Sequence, residues 1–99
     1  MSKNIYTIAV LKAKLGRLGD LKATLEALAA ETRKEPGAQE YFFIQDESHD
    51  TDTIISYERW ENSDEERKHW ETPHLTKALQ ELGDILDGDP IIHKGFQII

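Results

Sequence analysis

The stretch AQEYFFIQDESHDTDTIISYERWE, Ala38 to Glu61, decides how this chain folds. Two runs rich in aromatic and β-branched residues flank SHDTD, a cluster whose side chains bond their own backbone and turn the chain. Side chains along a strand alternate between faces, so Tyr41 and Phe43 share one face and Phe42 and Ile44 the other. In the returning run, Ile55 and Tyr57 stand opposite Ile54 and Trp60. A connection this short requires antiparallel pairing. The centre of the molecule is therefore a hairpin that is apolar on both faces.

Upstream, Ile5 to Leu11 (IYTIAVL) reads as a buried strand, with Lys12 to Leu15 able to carry it toward Gly16. From Arg17 the period changes to helical, with Leu18, Leu21, Leu25, Leu28 and Ala29 on one stripe. Pro36-Gly37 ends that helix, proline because it cannot continue one and glycine because it tolerates a positive φ. Downstream of the hairpin, Asn62 to Glu66 starts a second helix. Ser63 is placed to cap it and Glu66 to close a capping box. Thr72-Pro73 restarts a helix as cap and first residue. Leu75, Ala78, Leu79, Leu82, Ile85 and Leu86 form its apolar stripe, Asp87 to Pro90 ends it, and IIHKGFQII (91–99) is a final strand.

The order is βαββαβ, a ferredoxin-like α+β fold in one domain, 1–99, with helices on one face of a four-stranded antiparallel sheet. Helices cover only one face of that sheet. The second apolar face would be a large exposed patch unless another copy covers it, so a homodimer, sheet against sheet, is expected.

The charge balance, 12 Lys+Arg against 19 Asp+Glu and net −7, argues against nucleic acid and anionic lipid as partners. With no cysteine, a disulfide framework, thiolate catalysis and Cys-ligated metal are excluded. No apolar run is long enough to span a membrane and MSKNIYTIAV lacks a signal-peptide core, which makes a cytoplasmic location the expectation.

Glu35-Pro36-Gly37, Tyr41 with Gln45-Asp46, Tyr57-Glu58-Arg59-Trp60-Glu61, His69 before Thr72-Pro73-His74, and Gly88-Asp89-Pro90 together resemble the antibiotic biosynthesis monooxygenase family of dimeric α/β-barrel proteins. The resemblance covers almost the whole chain. It implies a small molecule held in an apolar pocket between sheet and helices. Three activities come with it: cofactor-independent oxidation of quinol-like or polycyclic phenolic compounds by O2, isomerisation of a hydroxyketone signal molecule, or binding without catalysis. The haem-degrading branch carries Asn, Trp and His where this sequence has Ala9, His69 and Leu79, so no haem is expected.

Within that frame His69 and His74 are the candidate catalytic pair, because imidazole accepts a proton near neutral pH and O2 needs an electron-rich anion. Tyr41, Phe43, Tyr57, Trp60, Leu75 and Ala78 are the candidate substrate-binding residues. Trp60 and Glu58 share a strand face. Core filling accounts for the first, and pairing with Arg59, Arg17 or a partner-subunit residue accounts for the second. Trp70 sits under the helix break. A metal site is not expected: His69 and His74 are five apart across a proline, with His49 in the turn and His93 on the last strand. With no glycine-rich phosphate loop, a nucleotide cofactor is not expected either.

Overall fold

The computed structural model describes residues 3–48 and 52–99. Its elements are β1 (Ile5–Lys12), α1 (Leu18–Thr32), β2 (Ala38–Gln45), β3 (Thr53–Trp60), α2 (Ser63–His69), α3 (Pro73–Ile85) and β4 (Ile91–Gly95). The strands form one antiparallel sheet in the order β2-β3-β1-β4. This is the expected ferredoxin-like βαββαβ order, with its second helix broken at Thr72.

The hairpin pairs Tyr41 with Glu58 and Phe42 with Tyr57, which fixes the two faces. Of its turn, His49, Asp50 and Thr51 lie outside the described residues, and Asp52 takes the left-handed conformation (φ 47°). Ile5, Thr7, Ala9 and Leu11 of β1 and Ile54, Ser56, Glu58 and Trp60 of β3 are buried on the inner face. There Leu21, Leu25 and Leu28 of α1 and Leu75, Ala78 and Leu82 of α3 close over Leu11 and Ile54. Each fully buried leucine or isoleucine contributes about 1.5–3 kcal/mol, so this two-helix lid is the main source of stability. The outer face keeps Phe42, Ile44 and Ile91 exposed.

Four local expectations need correction. β1 stops at Lys12, since Gly16 (φ 80°) turns the chain into α1 and leaves Leu15 in solvent. β4 ends at Gly95, with Ile98 and Ile99 beyond it fully exposed. Gly37 has no positive φ; a Cβ there would overlap the Glu65 side chain, so glycine is required for the close approach of α2. The cap of α2 is Asn62, whose Oδ1 accepts from the Glu65 N–H at 2.9 Å. Ser63 is already helical, and Glu66 turns inward instead of closing a capping box. Thr72 does behave as expected. Its hydroxyl accepts from the Leu75 N–H (3.3 Å) and donates to the His69 carbonyl (2.7 Å), which ties the end of α2 to the start of α3.

Candidate active site

Between the inner sheet face and the helices lies a cavity of about 50 Å³. Thr7, Ala9, Tyr41, Phe43, Ser56 and Glu58 border it from the sheet. From the helices come leucines of α1 and α3 together with His69 of α2 and Trp70, which caps its end. Leu79 and Ile92 also border it while half exposed, and they mark its mouth.

His69 is the most constrained polar group of this wall. The short α2 ends on it, and Thr72 anchors its carbonyl. Its ring lies 4.7 Å from the Trp60 ring and 5.6 Å from Tyr41. Its Nδ1 is 2.7 Å from Glu35 Oε2, and His74 Nε2 reaches the same oxygen at 2.7 Å. A carboxylate accepts, so Nδ1 of His69 and Nε2 of His74 carry the protons. Burial is the main influence on His69 and lowers its pKa below the ordinary 6.5, against the opposing pull of Glu35. The ring is therefore neutral near neutral pH, and Nε2 keeps a free lone pair with no protein partner among the described residues.

Glu58 is the second polar group on the wall. Burial pushes its carboxyl up to about 7, although the Trp60 Nε1–H (3.1 Å) and the Ser56 hydroxyl (2.9 Å) both donate to it. The cations expected to pair with it are occupied elsewhere. Arg59 bonds Glu40 at 2.6 Å on the outer side, and Arg17 bonds Asp20 at 2.6 Å. The buried Glu66 takes Lys94 (3.1 Å), the Trp70 indole N–H (2.8 Å) and the Thr7 hydroxyl (3.2 Å). Burial, then the Glu58 charge, raises the pKa of Tyr41, which stays a protonated phenol.

Of the expected residues, His69, Tyr41, Phe43 and Leu75 border the cavity. Trp60 does not. It is completely buried and serves as the shared support of His69 and Glu58. Ala78 packs in the helix–sheet core away from the wall. His74 is half buried and held to Glu35, one step behind His69. Tyr57 is on the wrong face: it stacks on Phe42 (5.0 Å) and borders an open outer hollow with Tyr6 and His93. Sequence reasoning overlooked Glu35, Glu66, Ser56 and Thr7. Only Ser56 and Thr7 carried a signal, as polar residues at inward positions of apolar strands.

Glu35, His69 and His74 place three ligand atoms within 4.8 Å of one another. Glu35 supplies what the histidine spacing alone lacked. The two 2.7 Å contacts converge on one oxygen and are hydrogen bonds. Donors around a tetrahedral zinc stand about 3.3 Å apart, so the group would have to spread to take an ion. Ala9 and Leu79, the positions compared with the haem-degrading branch, border the cavity and offer no ligand.

Fold and site define a class: a ferredoxin-like α+β domain enclosing an apolar cavity with buried ionisable side chains on its wall. The sequence model of the antibiotic biosynthesis monooxygenase family matches residues 4–81, and the chain belongs to that family. Among solved structures it is similar to PA3566 from Pseudomonas aeruginosa, with 26% identity, 100% of this chain and 98% of that one covered, and TM-score 0.90. Rv0793 from Mycobacterium tuberculosis shares the fold at 21% identity, coverage 97% and 96%, and TM-score 0.88. So does a protein described as an antibiotic biosynthesis monooxygenase, at 19% identity, coverage 96% and 99%, and TM-score 0.88. No curated protein sequence matches the chain. Among the described residues no helix is long and apolar enough to cross a membrane.

Proposed function

We propose that this protein is a cofactor-independent monooxygenase that oxidises a small quinol-like phenol with O2 in the cavity beside His69. The observation that carries this reading is the Glu35–His69 pair: a buried, neutral imidazole oriented by a carboxylate, with its other nitrogen unpartnered on an apolar wall. His69 Nε2 takes the phenolic proton, and the phenolate gives an electron to O2. Recombination forms a C–O bond, and the ring peroxide takes the proton back from His69 to become a hydroperoxide, which leaves the imidazole neutral. Loss of the ring C–H proton with O–O cleavage then leaves a carbonyl and water. One oxygen atom enters the product, the other leaves as water, and all four electrons come from the substrate. The apolar walls suit this chemistry by keeping water from the anion.

The cavity volume favours a single ring over a polycyclic one. About 50 Å³ is far below the roughly 300–1,000 Å³ of drug-sized ligand pockets, so even one ring requires Leu79 and Ile92 to swing out of the mouth. The test is O2 uptake by metal-stripped protein with hydroquinone, menadiol and anthrone. Rates above the no-protein control, falling in that order and lost in His69→Ala by at least about 10²-fold, are expected. Uniform control-level rates would overturn the reading. Turnover of a hydroxyketone without oxygen would assign the isomerase branch instead.

The exposed Phe42, Ile44 and Ile91 support a homodimer joined through the outer sheet faces. Light scattering should give twice the 11.4 kDa chain mass, and Ile44→Lys should shift the population to monomer. A wild-type protein that stays monomeric at high concentration would exclude this assembly.

A further inference from the structure

We propose that Glu58 is a second acid–base residue of the cavity, presenting a protonated carboxyl to a ligand oxygen from the sheet wall while His69 acts from the helix wall. The inference rests on the cavity being the reaction site and assigns it a second proton-handling group. It starts from the position in β3. The period of two aims Glu58 inward among Thr7, Ala9 and Tyr41, whereas its neighbour Arg59 points outward to Glu40. A carboxyl kept there for stability alone would have a cation beside it. Instead Lys94, whose charge reaches Glu58, is paired with Glu66 at 3.1 Å. Among the described residues Glu58 receives two neutral donors, Ser56 Oγ on Oε2 and Trp60 Nε1 on Oε1.

Those donors are themselves fixed. Ser56 Oγ accepts the Ala9 N–H at 2.9 Å, which aims its single proton at Glu58. Trp60 is fully buried, and the same indole supports the His69 ring. One fully buried side chain thus sets the positions of both proton-handling groups. Each Glu58 oxygen keeps a lone-pair site for a proton or a ligand. The titratable groups facing it are Tyr41 from β2, Glu66 and His69 from α2, and Lys94 from β4. β1 and the two long helices contribute Thr7 and apolar side chains to the wall. Two buried carboxyls and an engaged lysine disfavour an anionic ligand. The matching substrate is neutral, with a hydroxyl for His69 and a carbonyl or peroxide oxygen for Glu58.

In the oxidation the Glu58 proton has a defined destination. When the ring hydroperoxide breaks down, the ring C–H proton passes to His69 and its electron pair forms the carbonyl. The departing hydroxide takes the Glu58 proton and leaves as water. The proton on His69 then returns to the Glu58 carboxylate, and the site is reset. Activity should fall as pH rises through the Glu58 pKa, about 7 in the free protein.

Two measurements test this. With hydroquinone and O2, Glu58→Gln should lower kcat by about 10²-fold and erase the alkaline limb of the profile. Trp60→Phe keeps a ring under His69 but removes the N–H donor, and should move that limb to higher pH. A merely structural residue would not move it. The second measurement follows wild-type protein labelled at glutamate Cδ by NMR. One carboxyl should titrate near neutrality, be missing in Glu58→Gln, and shift when phenol, a probe that is not turned over, is added. If wild type oxidises hydroquinone while Glu58→Gln keeps its rate and pH profile, the role of Glu58 is overturned and the monooxygenase reading stands. If wild type oxidises nothing, the NMR decides. Perturbation of the Glu58 titration by phenol upholds Glu58 as a ligand-facing acid, and an unmoved or absent titration overturns it.

Discussion

Glu58→Gln is expected to grow more stable relative to wild type as pH rises, by about 3 kcal/mol between pH 4.5 and about pH 8. The carboxyl has an ordinary value of 4.5 in the unfolded chain and about 7 in the folded one. Between those values the folded state holds a proton that the unfolded state has released. Stability therefore falls with rising pH across that window, and the loss is complete above about 7. Glutamine carries no such proton, so the variant lacks this slope. Its amide keeps an acceptor for Trp60 but turns N–H groups toward Ser56, which adds an offset at every pH without changing the slope. Urea denaturation of both proteins at a series of pH values reads the double difference. A flat difference would show that burial leaves Glu58 with an unfolded-like pKa.

The fold was legible because its signals are local and periodic. Alternation through Ala38–Gln45 and Thr53–Trp60 separated Tyr41 and Phe43 from Phe42 and Ile44 and put Ile54 with Trp60, as in the sheet, and Thr72-Pro73 marked the helix break. Tyr57 was equally decidable. It is an odd number of positions from Trp60, so strand parity puts it on the outer face, and counting it among pocket aromatics set residue type above geometry. Glu66 could not be placed that way. A glutamate three residues after Ser63 fits a capping box as well as it fits the interior, and what decides is Thr7 and Lys94, 59 and 28 residues distant. Glu35 had less signal still. It follows α1 in an irregular segment where no period tells which way a side chain points, and its partners lie 34 and 39 residues on. The histidines were visible as chemistry, but their partner and tautomers were not.

That hidden partner yields the second large effect. Glu35→Ala should lose about 2–4 kcal/mol of stability, because it removes two short hydrogen bonds and leaves the buried Nδ1–H of His69 without an acceptor. Glu35→Gln should lose less, since one amide oxygen can still accept from both imidazoles and what is lost is the carboxylate charge. Catalysis separates the variants in another way. Glu35 raises the His69 pKa through its hydrogen bond and charge, against burial. Without the carboxylate that pKa falls further, so the acid limb of the pH–rate profile, where His69 protonates, moves to lower pH. Maximal turnover drops by about 10²-fold as the ring loses its fixed orientation and becomes a weaker base. A rate loss with an unmoved acid limb would mean that the group titrating there is not His69. A limb that moves to lower pH in Glu35→Gln but not in His74→Ala would place the functional dyad at Glu35–His69 and leave His74 as a support of the carboxylate.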